Sequence, residues 1–444
     1  MTKNIHEIRD PIHVFVRLDN HERKVLDSRP FQRLRHIHQL GPTYLVYPGA
    51  THSRFEHSLG VMELASRVFD IVTAPENVID NIRNVLEQLR SKDDISYWRR
   101  VLRMAALCHD IGHLPFSHAA EKELLPEGWD HERLTRGIIV SDELNQIWNQ
   151  MIPPLNHEHI VKLAIGPEKA KDMSFSHWEG ILSELIAGDA FGVDRMDYLL
   201  RDSHHVGVAY GRFDHYRLAD TLRILPSVPS GEGEETTKPA LGVEEGGVQS
   251  AEALMWARYL MYSQVYFHPV RRIYDIHLKD FLKEWLPEGR FSTDIDKHIA
   301  MTDAEVTTAL LSAAFDNTKS GHIHARRLMR REHFKLLYER NPSDTNINRD
   351  SGRVIYEAAE REFGADCVRH DCYSQRGSAP DFPVEMRDKR IESSLSVSTA
   401  LKNMPVVAVD YVFISREKYD NAKTWLDKNR QTIIQQPREE EGDG

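Results

Sequence analysis

The densest chemistry in the 444-residue chain is the run Cys108-His109-Asp110-Ile111-Gly112-His113-Leu114-Pro115-Phe116-Ser117-His118. It follows an apolar stretch, 98–107, that reads as a helix. Neighbouring residues on a helix point about 100° apart, so His109 and Asp110 can reach one ion only from a helix end or a bend. Gly112 and Pro115 are expected to supply that end, the glycine through a left-handed cap and the proline by ending the ladder. An imidazole beside a carboxylate suits Mn, Fe, Co, Ni or Zn better than Ca or Mg. An isolated His-Asp pair is more often a plain helix terminus; the extra histidines, the glycine and the proline in so short a run favour a functional site. Two further ligands must come from elsewhere.

Two other stretches can provide them. After Arg54-Phe55-Glu56-His57-Ser58, the residues Leu59, Met62, Ala65, Val68, Phe69 and Val72 recur at three and four, the stripe of a core-facing helix. His57 thus stands near the start of one buried helix as His109 stands near the end of another, an arrangement from which helical bundles build metal sites. In 188–205, Asp194, Asp197, Tyr198, Arg201 and Asp202 share one helical face. Such charged stripes are usually solvated, but this one carries a tyrosine and is bracketed by Gly192 and a His-His pair.

Together, His57, His109, Asp110 and Asp194 make a donor set for one divalent transition metal with positions left for water. Such a metal promotes hydrolysis by activating water or polarising a phosphoryl oxygen. His113, His118 and His131 are spare, available as acid, base or phosphate donor. Arg54, Arg195 and Arg201 can neutralise phosphate, with arginine favoured for its two-pronged fork. A polyphosphate ester is a more natural substrate than a neutral amide or sugar.

Around these stretches the pattern is mostly helical. An extended or hairpin segment is expected over 8–18, with a turn at Pro11, followed by a helix interrupted at Pro30 and a turn-rich loop over 39–50. Residues 75–94 read as a charged helical insertion, and Asp130 as a helix N-cap. Residues 227–250 read as an exposed loop or hairpin insertion. From Met301 the composition becomes a charged α+β mixture whose best strand is 406–414, and 436–444 reads as a disordered tail.

Bulk properties exclude several classes. The chain is 41% hydrophobic and 28% charged, an ordinary globular balance. No uncharged apolar run is long enough for a transmembrane helix, and the N-terminus lacks a signal-peptide core. Cys108, Cys367 and Cys372 are few and unpatterned, which suits a reducing, cytoplasmic setting. A formal charge of -11 argues against nucleic acid as the main ligand.

Several motifs stand in a recognisable order: Phe31-Gln32-Arg33-Leu34-Arg35, Gln39-Leu40-Gly41, Pro48-Gly49-Ala50, 54–61, His109-Asp110-Ile111-Gly112-His113, Pro115-Phe116-Ser117-His118 and 193–207. On these the sequence resembles the HD-domain dNTP triphosphohydrolases, in the branch containing the vertebrate sterile-alpha-motif/HD-domain enzyme and its bacterial relatives. The resemblance runs from about residue 8 to about residue 278. It implies a mostly α fold: an HD-type helical phosphohydrolase core over 1–285 and a smaller α+β C-terminal region over 286–435. The implied reaction is attack of water on the α-phosphorus of a dNTP, dGTP-like, releasing deoxynucleoside and inorganic triphosphate.

Position by position, the resemblance makes His57, His109, Asp110 and Asp194 the ligands of one Mn, Fe, Co, Ni or Zn ion, with Mg an option at the substrate phosphates. It places His113, His118 and His131 around the α-phosphate, with His131 as proton donor to the leaving 5′-oxygen, supported by Glu121. Arg54 and Arg195 would hold phosphates, although the family often has lysine at the latter. Tyr198 would pack on the deoxyribose, Gln39 and Asp202 would read the 3′-hydroxyl, and Leu40 would lie against the base. An activating nucleotide site would use Asp27, Gln32, Arg35, Arg331 and Lys335, while His6 and Glu7 depart from that pattern. A homo-oligomer, dimer or tetramer, is also implied. Two other readings compete: a phosphodiesterase or monophosphatase of the wider HD superfamily, and a nucleotide-sensing or nucleic-acid-binding module with vestigial catalysis.

Overall fold

A computed structural model describes residues 5–116, 121–228, 238–374 and 380–435. They fall into two compact units, one drawn from Met1–Met261, Arg290–Val306 and Ser378–Pro405, the other from Tyr262–Gly289, Thr307–Gly377 and Val406–Gly444. The fold is mostly helical, with small sheets.

The first unit begins with an antiparallel hairpin, Ile5–Asp10 paired to Val14–Asp19. Its turn is closed by Asp10, whose Oδ1 accepts the backbone N–H groups of Ile12 and His13 at 2.8 and 2.7 Å. Four helices carry the chemistry: α1 (Arg54–Val72), α2 (Lys92–Cys108), α3 (His131–Ile139) and α4 (Val193–Val206). Ser53 and Glu56 form a capping box at the start of α1, and its apolar stripe from Leu59 to Val72 is buried. Asp130 caps α3 through the Arg133 N–H. At the other end of α4, Gly207 takes the left-handed conformation, φ 81°.

The charged face of α4 is not solvated. Asp197 and Arg201 are 0% exposed and Asp202 1%. Space for them comes from Gly60 on α1, where a Cβ would stand 2.0 Å from Asp197 Oδ1. Gly112 corrects the sequence expectation in the same way. It is absent from the positive-φ glycines; a Cβ there would lie 2.2 Å from the Thr135 nitrogen and 2.4 Å from the His131 carbonyl oxygen. The glycine is needed because α3 approaches closely, and the residue with positive φ in this turn is Phe116, at 52°.

Within 227–250, Pro239–Glu244 pairs antiparallel with Leu222–Pro226, while 229–237 lie outside the described residues. Pro383–Glu385 then adds in parallel and Ile391–Ser393 closes the sheet.

The second unit holds a three-stranded antiparallel sheet, Lys335–Glu339, Ala408–Ile414 and Val368–Ser374, with Ala408–Ile414 in the middle. That strand is an almost unbroken apolar run because nearly all of it is buried. Ile355 and Ala359 of the helix Ser351–Phe363 and Leu426 of the helix Tyr419–Ile434 join Val412 and Ile414 in its core. Two more helices, α5 (Pro269–Trp285) and α6 (His322–Met329), pack together in this unit. Residues 436–444 lie outside the described residues. Among the described residues no helix is long and apolar enough to cross a membrane.

Candidate metal and phosphate site

α1, the end of α2 and the start of α4 bring His57, His109, Asp110 and Asp194 together in the first unit. His57 Nε2 lies 3.0 Å from Asp194 Oδ1 and 3.8 Å from Asp110 Oδ2. His109 Nε2 lies 3.4 Å from both Asp110 Oδ1 and Asp194 Oδ1. Ligand atoms about 2.1 Å from a shared ion stand about 3.0–3.4 Å apart in tetrahedral or octahedral geometry, so most of these separations already match coordination.

Each imidazole has its outer nitrogen committed. His109 Nδ1 is 2.8 Å from the Ala106 carbonyl, which can only accept, so Nδ1 carries the proton and Nε2 keeps its lone pair. That Nε2 is buried with no hydrogen-bond partner of its own. His57 Nδ1 donates to Asp197 Oδ2 at 2.8 Å. Asp197 is held in turn by His13 Nε2 at 2.7 Å and by Arg201 Nε and Nη2 at 2.9 Å each, and Arg201 also reaches Asp10 Oδ2 at 2.9 Å.

The electrostatics favour positive charge at the centre. Burial opposes protonation of His57, but hydrogen bonds to Asp194 and Asp197 raise it to about 10. Burial likewise opposes ionisation of Asp194 and Asp110, yet the facing imidazoles, with Arg54 beside Asp110, hold both carboxyls well below the usual range. Two imidazoles with inward lone pairs and two ionised carboxylates fit a divalent transition metal.

Groups suited to phosphate surround Asp110. Arg54, almost fully buried, donates from Nη1 to Asp110 Oδ2, and His113 Nε2 is 3.0 Å from Oδ1. His113 stacks on His131 with ring centroids 4.0 Å apart, and the two are tuned in opposite directions. Burial, with Arg54 and His131 adding to it, pushes His113 well below its ordinary value. Burial pulls His131 the same way, but Glu121 outweighs it and raises the imidazole. The Glu121 oxygens lie 2.8 and 2.9 Å from His131 Nδ1, and Oε1 also accepts the His131 backbone N–H. His118 lies outside the described residues.

A neighbouring corner holds the residues expected to meet a sugar. Gln39 donates its backbone N–H to the His52 carbonyl at 3.0 Å, while its buried Oε1 has no partner. His52 Nε2 is 2.7 Å from Asp202 Oδ1. Leu40 is buried and Tyr198 half-buried. Arg195 reaches the turn before α4, with Nη1 3.3 Å from the Gly188 carbonyl and Nη2 3.1 Å from Asp189 Oδ1.

Of the residues expected at an activator site, three lie in the first unit. Gln32 Nε2 donates to the Leu26 carbonyl at 2.7 Å, Arg35 Nε donates to Gln32 Oε1 at 2.9 Å, and Asp27 accepts from Arg23 at 3.2 Å. Arg23 also donates to His6 Nδ1 at 3.0 Å. Arg331 and Lys335 belong to the second unit, where Arg331 has a positive φ of 55° and Lys335 opens a strand.

Sequence reasoning missed Asp197, His13, Asp10 and His52 as parts of the site. Asp197 carried a signal, standing one turn after Asp194. The other three carried none, since His13 meets Asp197 across 184 positions and His52 meets Asp202 across 150.

The HD domain family matches residues 54–201, and the HD associated region matches residues 219–366. Uncharacterized protein MJ1154 of Methanocaldococcus jannaschii is 39% identical over 272 residues, 61% of this chain and 48% of that protein. The human deoxynucleoside triphosphate triphosphohydrolase SAMHD1 is 28% identical over 432 residues, 93% of this chain and 63% of that protein. The chain thus spans about half to two thirds of the length of these relatives. A crystal structure of a hypothetical protein from Aquifex aeolicus has a TM-score of 0.76 and 30% identity, covering 95% of this chain and 100% of that one. With the HD domain spanning the whole histidine-aspartate cluster and its associated region following directly, the chain belongs to the HD-domain family and is homologous to the SAMHD1 dNTP triphosphohydrolases.

Proposed function

We propose that this chain is a metal-dependent dNTP triphosphohydrolase that releases deoxynucleoside and inorganic triphosphate, with dGTP-like nucleotides as substrates. The observation that carries the reading is the layout of α4. Asp194, Tyr198 and Asp202 follow one another at single-turn spacing, so one helical face offers a metal ligand, an aromatic ring and a carboxylate over about 12 Å. The activity for which the SAMHD1 relatives are named points the same way.

A divalent transition metal held by His57, His109, Asp110 and Asp194 would supply Lewis acidity at a phosphoryl oxygen. Arg54 and Arg195 neutralise phosphate charge, and His113 turns a neutral ring toward the α-phosphate. Water attacks the α-phosphorus and releases a proton to solvent, the new P–O bond forms, and the bond to the 5′-oxygen breaks. His131, whose protonated form Glu121 favours, delivers its proton to that leaving oxygen. Tyr198 packs on the deoxyribose and disfavours a 2′-hydroxyl. Gln39 Oε1, an acceptor without a donor, reads the 3′-hydroxyl together with Asp202. Asp27, Gln32, Arg35, Arg331 and Lys335 serve an activating nucleotide, and the working form is a homo-oligomer.

The test is incubation of metal-replete protein with each dNTP and rNTP, singly and mixed, with products separated by chromatography. Deoxynucleoside plus triphosphate from dNTPs alone is expected, and dependence on a mixture would reveal the activator. Orthophosphate or pyrophosphate as the product, or turnover of monophosphates only, overturns the proposal.

A further inference from the structure

We propose that His277, Asp280 and His324 form a separate binding site for a divalent transition metal, Zn²⁺ in particular, in the second unit. His277 and Asp280 stand one turn apart on α5, and His324 projects from α6. One nitrogen or oxygen from each lies within 4.8 Å of the others.

Three features point to a cation. Glu284 Oε1 is 3.2 Å from His324 Nε2, and a carboxylate can only accept, so His324 keeps its lone pair on Nδ1. That nitrogen is 3.6 Å from Asp280 Oδ2, a buried oxygen with no hydrogen-bond partner. His277 is 0% exposed, and its Nδ1 is likewise without a partner. An unpartnered carboxylate oxygen and an unpartnered imidazole nitrogen beside the lone pair of His324 Nδ1 match two imidazoles and a carboxylate with a place left for water, a donor set that suits Zn²⁺ rather than Ca²⁺ or Mg²⁺.

The competitors are also on hand. Arg327 Nη1 is 3.3 Å from His324 Nδ1, Arg369 Nε is 3.7 Å from Asp280 Oδ2, and the Phe334 N–H donates to His277 Nε2 over a long 3.3 Å. A metal must move Arg327 off His324, and the Phe334 ring 4.5 Å away gives that guanidinium a resting place. Binding on His277 Nδ1 also turns Nε2 into a donor and costs the Phe334 contact. This site is therefore weaker than the one at His57 and His109.

Chelator-stripped protein would be reloaded with Zn²⁺ or Co²⁺, passed through gel filtration and counted by elemental analysis. Wild type should retain two equivalents, His324→Ala one, and a His109→Ala/Asp110→Ala variant one. The last should lose its remaining ion on addition of Asp280→Asn. His324→Ala should leave phosphohydrolase turnover unchanged, and Co²⁺ absorption in the His109→Ala/Asp110→Ala background should vanish with it. Circular dichroism reports whether each variant folds, and wild-type stoichiometry decides the matter if one does not. A single equivalent in wild type that the His109→Ala/Asp110→Ala variant loses, or two that persist in both His324→Ala and Asp280→Asn, overturns the proposal. The count does not depend on which nucleotide the chain hydrolyses, so it stands apart from the functional reading above.

Discussion

The chain builds two clusters from the same residue types, and they differ in what stands behind the ligands. At His57 and His109, each outer nitrogen has a fixed acceptor, Asp197 or the Ala106 carbonyl. Around them Asp10, Asp110, Asp194 and Asp197 outnumber the facing guanidiniums of Arg54 and Arg201, leaving negative charge for a divalent cation to balance. At His277 and His324, only His324 has a carboxylate behind it, the half-exposed Glu284, and Asp280 and Glu284 are matched by Arg327 and Arg369. A histidine-carboxylate cluster is prepared for metal when tautomer and charge balance are both settled beforehand; the first cluster meets both conditions and the second meets them in part.

The largest effect expected is at Asp110, the hub shared by the candidate metal ligands, Arg54 and His113. Asp110→Ala should empty the first cluster and lower nucleotide turnover by about three orders of magnitude, which is several kcal/mol of transition-state stabilisation. Elemental analysis beside product chromatography checks this. Turnover that survives loss of the metal would remove the basis for contrasting the clusters.

Next is Asp197, which is not a candidate ligand itself and acts through His57. Asp197→Asn keeps the size but loses the charge that fixes His57 and pairs with Arg201. Metal affinity should fall by about 10- to 100-fold. Stability should fall by about 3 kcal/mol, because Arg201 stays fully buried with only Asp10 and, at 3.6 Å, the part-exposed Glu56 left charged against it. Metal titration and denaturant unfolding separate the two losses.

How much of this was legible in the sequence follows from how far each cue reaches. His57 before an apolar stripe and His109 before a glycine-containing turn could be placed at helix ends, since periodicity and turn residues are local cues. The strand was equally plain, read over 406–414 and found at Ala408–Ile414. Gly112 was misread because a glycine serves either an unusual φ or a close approach, and only the position of Thr135 and His131 tells which. The face of α4 could be drawn, but whether Asp197 and Arg201 met water or protein depended on Gly60 in another helix. His13 and His52 could not be found at all, because nothing near them in sequence requires the carboxylates they meet. His277 and Asp280 stand one turn apart on α5, and only α6 brings His324 to them.

A smaller effect tests the acid rather than the metal. His131 can donate a proton only while it carries one, so turnover should fall as pH climbs through its raised value. Glu121→Gln removes the charge that raises it, and the alkaline limb of the pH–rate profile should move to lower pH. At a fixed pH on that limb, turnover should drop about tenfold for every pH unit the limb moves. Metal content should stay the same. An unmoved limb would assign the proton to another group.

The smallest effect is expected at Glu284, the counterpart in the second unit of Asp197. Both carboxylates hold the outer nitrogen of a candidate ligand, but Glu284 is half-exposed and solvent screens it, whereas Asp197 is fully enclosed. Glu284→Gln still offers an acceptor to His324 Nε2, so the tautomer survives and only charge is lost. Zn²⁺ binding at the second cluster should weaken by about three- to tenfold, less than Asp197→Asn weakens the first. If Glu284→Gln cost as much as Asp197→Asn, burial of the supporting carboxylate would not be what separates the clusters. The contrast would then rest on Arg327 and Arg369 alone, and Arg327→Gln should tighten the second site toward the first.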